Sequence, residues 1–236
     1  MVAKSSAGIK KLDNEIIACT ACPRLVSWRQ EISITKRKSY QDETYWGKPV
    51  TGFGPSDAKL VIVGLAPGAH GANRTGRIFT GDSSGDWLYR ALHKAGLARI
   101  PTSTSANDGQ GLIDTRIICA VRCAPPDNKP SNEEKATCSP FMQREIELLL
   151  PTTKSYLALG NFAWGALLAR LSELGFEIPK PKPKFGHGAK FKSIGPDGLS
   201  RLIVGSYHPS QQNTFTGKLT EPMLDAVFTR ARNLSK

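Results

Sequence analysis

Four short runs of apolar, largely β-branched residues constrain this chain more than any other feature. They are Lys59–Leu65 (KLVIVGL), Ile113–Val121, Tyr156–Gly160 (YLALG) and Arg201–Gly205 (RLIVG). None alternates cleanly with polar residues, so each reads as a strand buried on both faces, the habit of a parallel sheet covered by helices. Helical segments separate them. Ser83-Ser84-Gly85-Asp86 reads as a capping box before Trp87–Leu92, and Ser131 caps a helix that carries Glu133 and Glu134 in its first turn and runs through Leu150. Another helix follows from Phe162 to Leu174, and a last one opens on Thr220-Glu221-Pro222. The expected architecture is α/β: a three-layer α/β/α sandwich about a central, four-stranded, mostly parallel sheet. The 236 residues suit a single domain over 1–236, with residues 1–10 as a flexible tail.

Open parallel sheets bind ligands beyond the carboxyl ends of their strands. Three unusual loops leave such ends: 66–82, 122–130 and 206–214. The first is rich in glycine but lacks GxxxxGK[ST], so it is no P-loop; its glycines permit close backbone approach to a flat or anionic group. Within these loops Phe79 either stacks on a base or tucks into the core. Asp82 is either a reacting carboxylate or a helix cap. Asn128, between Pro126 and Pro130, is either a site residue or a turn former. His208 follows a strand and precedes a proline at the functional end of the sheet, which favours a catalytic role. His70, His93 and His187 share no metal spacing with it.

The chain carries 32 Lys+Arg against 20 Asp+Glu, a net charge of +12, which predicts salt-dependent attraction to polyanions. No apolar run is long enough to span a membrane, and the N-terminus has no secretory core, so a cytoplasmic protein is expected. Five cysteines, at 19, 22, 119, 123 and 138, argue against a disulfide framework. Cys19-Thr20-Ala21-Cys22-Pro23 is a CxxC stiffened by proline, and prolines also follow Cys123 and Cys138 closely. Three readings stay open on spacing: an iron–sulfur cluster with dispersed ligands, a zinc site, or buried inert thiols, the last suiting Cys119 best. A thioredoxin-like redox motif is disfavoured because no strand precedes the CxxC.

Taken together, these loops resemble the uracil-DNA glycosylase superfamily, most closely its family 5, the B-type enzymes. The family's first motif, GLAPGAHGxNRTGRxFTGDxSG, is matched by GLAPGAHGANRTGRIFTGDSSG at residues 64–85. Its third, roughly HxSxQNTxTGxL, is matched by HPSQQNTFTGKL at 208–219; VRCAPPDNKP at 121–130 and the CPR after the CxxC also fit. The similarity spans about residue 15 to the C-terminus. It implies a 4Fe–4S cluster on Cys19, Cys22, Cys123 and Cys138, with Cys119 left over. It also implies hydrolysis of the N-glycosidic bond of uracil in DNA after base flipping, by a monofunctional, monomeric enzyme. No lysine stands where a Schiff base would form.

By this resemblance Asp82, Asn128 and His208 are the catalytic residues: Asp82 at the developing sugar cation or the water, Asn128 assisting, His208 donating to the leaving base. Gly64, Leu65, Ala66, Gly68 and Phe79 would bind the base. Gln211, Asn213, Phe215 and Lys218 would contact DNA as a minor-groove wedge, and the lysines of 180–192 would meet phosphates. The strand asparagine that reads uracil in family 4 falls on Cys119, which implies a permissive pocket that also accepts hypoxanthine and xanthine. The rival reading is a catalytically weak iron–sulfur protein that binds damaged DNA.

Overall fold

A computed structural model describes residues 2–233. In chain order the main elements are α1 (Val2–Ile17), α2 (Pro23–Thr35), β1 (Leu60–Gly64), α3 (Ala72–Thr75), α4 (Ser83–Lys94), β2 (Thr115–Cys119) and α5 (Asn132–Leu149). They continue with β3 (Ser155–Leu159), α6 (Asn161–Glu173), β4 (Lys190–Ile194), β5 (Ser200–Ser206), α7 (Gln211–Phe215) and α8 (Glu221–Asn233). The strands form one sheet in the order β2-β1-β3-β5-β4. Pairing is parallel from β2 through β5, and only β4 runs antiparallel, against β5.

Each expected strand is present, and its side chains divide between two cores. Leu60, Ile62, Ile117, Leu157 and Val204 face the layer of α4 and α8, packing with Leu88, Leu92, Leu224 and Phe228. Their neighbours Val61, Val63, Ile118, Tyr156 and Ile203 face the other way, onto Met142, Ile146, Trp164 and Leu167 of α5 and α6. The period of two along a strand requires this split, and it explains why the runs are apolar throughout.

Three expectations are corrected. The sheet has five strands, not four, because Lys190–Ile194 pairs with β5. Its sequence, KFKSI, is polar because the strand lies at an edge: Lys190 and Lys192 are exposed and Ser193 is buried. Lysines on an edge strand also discourage pairing with another chain. Residues 2–10 are no tail, since they belong to α1, and residue 1 lies outside the described residues. Ile9, Leu12 and Ile16 are buried at helical spacing, and a Cβ at Gly8 would stand 2.6 Å from Leu148 on α5. Ser5 Oγ lies 2.9 Å from the carbonyls of both Ser56 and Leu148. The stripe holds only three apolar residues, too few to stand out from the polar start of the chain.

The third correction concerns the entry to α4. Its cap is Asp82, whose Oδ1 accepts the Gly85 amide at 2.9 Å, and Ser83 is already the first helical residue. The cap at Ser131 is as expected, and the structure completes it as a capping box: Ser131 Oγ accepts from the Glu134 amide, and the Glu134 carboxylate accepts from the Ser131 amide.

Because Leu12 is fully buried, Leu12→Ala should lower unfolding stability by about 2–4 kcal/mol, measured by urea denaturation. A loss under about 0.5 kcal/mol, the usual scale of a surface substitution, would contradict the docking of α1.

Candidate active site and cysteine cavity

The parallel ladder delivers Gly64, Cys119, Leu159 and Ser206 to one edge of the sheet, and the site is assembled there. Gly64 ends β1 opposite Cys119 at the end of β2. A Cβ on Gly64 would lie 3.0 Å from the Phe79 ring and 3.4 Å from Cys119 Sγ, so glycine is what admits the ring. Phe79 sits at φ 51°, a conformation that costs an aromatic residue about 1–3 kcal/mol and persists only where the surroundings impose it. Its ring, 8% exposed, leans on the His208 imidazole with centroids 5.5 Å apart and planes 33° apart.

His208 follows β5. Gly160, just beyond β3, faces it: a Cβ there would meet His208 Cβ at 3.5 Å. The Asn213 amide donates to the His208 carbonyl at 2.9 Å, which folds the 208–213 loop back on itself. Burial pushes the imidazole pKa down to about 4. The ring is therefore neutral near pH 7 and carries one N–H to donate.

Asp82 reaches the same edge from the start of α4. The cap uses Oδ1; Oδ2 stands against the glycines of the first loop. A Cβ at Gly71 would fall 1.9 Å from Oδ2, and one at Gly68 3.1 Å. Burial pushes the carboxyl up, while the Gly85 amide holds it down. Cap and reacting carboxylate are thus compatible: one oxygen serves the helix and leaves the other for the site.

The remaining expected residues are placed less uniformly. Leu65 continues the ladder, its carbonyl accepting the Val121 amide at 3.0 Å. The Ala66 side chain packs toward Cys123 and Cys138, and Gly68 accepts the Asn73 amide. Asn128 is exposed at φ 56° in the turn after Pro126, and its side chain has no hydrogen bond among the described residues. That is the geometry of a turn former, and nothing joins it to Asp82 or His208. Gln211, Phe215 and Lys218 are exposed on the loop that carries α7. Phe215, at 78%, is among the most exposed large apolar side chains of the molecule, while Lys218 Nζ lies 5.0 Å over the Tyr207 ring.

A second centre lies behind the first loop. Cys19, Cys22, Cys123 and Cys138 line one small apolar cavity together with Leu25 and Phe141. All five cysteines are free thiols, and Cys119 lies apart in the core beneath Phe79. Among the described residues no three His, Cys, Asp or Glu side chains converge closely enough to hold a single ion. Four thiols brought to one apolar cavity instead fit the donor set of a multinuclear iron–sulfur centre. Burial pushes Cys123 up to about 12 and Cys138 up to about 11, so a metal held there binds as the thiols release protons.

Sequence reasoning did not identify the ion pair that links the two helices flanking this cavity. Arg24, directly after the CxxC-Pro, donates Nε and Nη2 to the two Glu134 oxygens at 2.7 Å each and thereby ties α2 to α5. Glu134 was legible only as an acid in the first turn of α5. Also unforeseen is a buried ionic cluster: Glu145 accepts from Arg116 Nε at 2.7 Å and from Arg122 Nη2, and Asp13 stands 3.5 Å from Arg116. Its sequence signal is faint, two arginines inside an apolar run, DTRIICAVR.

The depressed His208 pKa fixes a sign. The ordinary value is 6.5, and the folded chain takes up this proton less readily than the unfolded one. The stability is fully present above the unfolded pKa and is lost as pH falls through 6.5 toward about 4. His208→Gln should flatten this part of the urea-midpoint profile between pH about 6.5 and about 4.5; an unchanged slope would show the imidazole to be solvated.

The family model for the uracil DNA glycosylase superfamily matches residues 51–232. A type-5 uracil-DNA glycosylase of Mycobacterium leprae is 47% identical over 100% of this chain and 99% of its own length. One from Thermus thermophilus is 44% identical over 93% of this chain and 95% of its own. A type-4 uracil-DNA glycosylase of Pyrobaculum aerophilum is more distant, 30% identical over 70% of this chain and 74% of its own. With the sheet order, the glycine-lined Asp82 and the Phe79–His208 pair in place, the chain belongs to the uracil-DNA glycosylase superfamily and is most similar to its type-5 members.

Proposed function

We propose that the protein removes uracil from DNA by hydrolysing the N-glycosidic bond, leaving an abasic site. What supports this reading is the Phe79–His208 ring contact beyond the sheet's carboxyl edge and the second Asp82 oxygen held against Gly68 and Gly71 of the loop that leaves β1, in a chain so similar to proteins named uracil-DNA glycosylases.

The chemistry follows from the charges that develop as the bond breaks. The target nucleotide leaves the stack and its base enters a pocket, where Phe79 offers a face for stacking. Negative charge collects on the departing pyrimidine, and the neutral His208 donates its N–H there. Positive charge collects on the sugar, and Asp82 opposes it through Oδ2 or orients the attacking water through the same atom. Asn128 is proposed to assist from the 126–128 turn; binding of DNA would have to bring it in. The backbone of Gly64–Ala66 and Gly68 completes the base pocket.

Cys119, a buried thiol, stands where the resemblance aligns the base-reading asparagine of family 4, and on that reading hypoxanthine is proposed as a second substrate and xanthine as a third. Gln211, Asn213, Phe215 and Lys218 form the proposed wedge. The exposed lysines between 180 and 192 add sequence-independent attraction to phosphates. The net +12 suits such a partner. No helix among the described residues is long and apolar enough to cross a membrane, and we place the enzyme in the cytoplasm, on the chromosome, as a monomer.

Cys19, Cys22, Cys123 and Cys138 are proposed to hold a 4Fe–4S cluster. When bound, the cluster would cross-link the turn after α1, the segment after β2 and the second turn of α5, a structural service to the loop that positions Asp82.

End-labelled duplexes carrying one uracil or one hypoxanthine, incubated with excess enzyme and then treated with alkali, test the reading. Strand cleavage is expected on both, and only after alkali. Cleavage at uracil alone would keep the activity and remove the permissive pocket. Retained DNA binding without cleavage of either would favour a non-catalytic reader of damage.

A further inference from the structure

Two arginines beside the cysteine cavity are buried beyond what their own partners justify. Arg29, on α2, is 3% exposed, and Arg122, between β2 and Cys123, is 1% exposed. Arg29 donates Nη1 to the Gly47 carbonyl and Nη2 to the Cys19 carbonyl at 3.4 Å, and its Nε has no partner among the described residues. Arg122 lines the cavity, and its backbone amide donates to Cys138 Sγ at 3.3 Å. Its Nη2 is paired with Glu145, yet Nε and Nη1 have no partner. Buried donors left unpaired are costly and uncommon, and each calls for a reason.

The charge around them is also unbalanced. Glu145, 0% exposed, is shared between Arg122 and Arg116, so one carboxylate faces two guanidiniums. Asp13 stands beside Arg116, and desolvation raises its pKa to about 6. Arg29 has only carbonyl oxygens as hydrogen-bond partners. Arg29 reaches the backbone of Cys19 while Arg122 lines the cavity with its amide on Cys138 Sγ, so the two cations stand at different cysteines of the same cavity.

We propose that Arg29 and Arg122 are fixed, buried counter-charges for the iron–sulfur cluster on Cys19, Cys22, Cys123 and Cys138, favouring its retention and raising its reduction potential. This rests on the cluster assignment above. A 4Fe–4S centre with four thiolates is a dianion when oxidised and gains a further negative charge on reduction. Net charge and nearby dipoles set its potential. A dianion in an apolar cavity is poorly tolerated unless cations lie close, and a fixed cation stabilises the reduced form more than the oxidised one. Arg116 supplies an internal control: it holds the same Glu145 but does not line the cavity.

The test uses full-length protein purified without oxygen, with iron and acid-labile sulfide counted per chain and the potential measured by spectroelectrochemistry. Arg122→Gln and Arg29→Gln should each move the potential negative and speed iron release to a chelator about tenfold, the scale expected for losing one charge-assisted contact. Arg122→Lys should stay near wild type, as should Arg116→Gln. Wild-type protein without iron would overturn the cluster assignment itself. Iron-loaded Gln variants at 29 and 122 with wild-type potentials would overturn the counter-charge role while leaving the cluster in place. An equal shift in Arg116→Gln would also overturn it, making the network structural. Should Arg122→Gln not fold, Arg29→Gln decides alone, since Arg29 has no carboxylate partner to strand.

Discussion

The parallel pairing of β2, β1, β3 and β5 is the constraint on which everything else depends. It sends four chain segments off the same edge of the sheet, so the glycine-rich loop, the cysteine-bearing segment and the histidine loop emerge side by side. It also requires apolar side chains on both faces, which the flanking helices cover. The order places β1 between β2 and β3, and the crevice at such a reversal is where open α/β sheets take ligands. Gly64 at the end of β1 leaves the space that the Phe79 ring occupies, and His208 packs beside Gly160 beyond β3 at ordinary contact distance.

Around that edge, single residues serve two ends. Asp82 satisfies an orphan amide of α4 with one oxygen and presents the other toward Gly68 and Gly71. Arg24 fixes the helix that follows the CxxC to the helix that carries Cys138, so four cysteines far apart in sequence line one cavity. Arg122 joins the cavity to a buried carboxylate beneath the sheet. The proposed catalytic site and the proposed cluster are separated by one loop: Ala66 packs on the cysteine side, while Gly64, two residues earlier, faces Phe79.

How much of this was legible follows from where the signal lay. Buried strands announce themselves because both faces are apolar, and all four such strands were read from sequence. The edge strand KFKSI was missed because one exposed face and two lysines erase that pattern. The docked α1 was missed because three apolar residues sufficed to seat it. At the start of α4, Asp and Ser are about equally good caps, so local chemistry did not choose between Asp82 and Ser83. Phe79 and His208 were found from their loops, but their stacking required the fold. Asn128 was read from its motif, and in the fold its side chain stands in solvent. Ion pairs such as Arg24–Glu134 and Arg122–Glu145 link residues remote in sequence and leave no local pattern.

The central claim is that Asp82 is both cap and reacting group, and the single-turnover rate of uracil release by Asp82→Asn tests it most directly. Asparagine caps a helix about as well as aspartate, so this variant keeps the fold and removes the charge. A fall of more than about tenfold in rate, on the scale of one lost electrostatic contact to a transition state, with DNA affinity and unfolding midpoint unchanged, is the predicted result. A wild-type rate would contradict the account and reduce Asp82 to a helix cap.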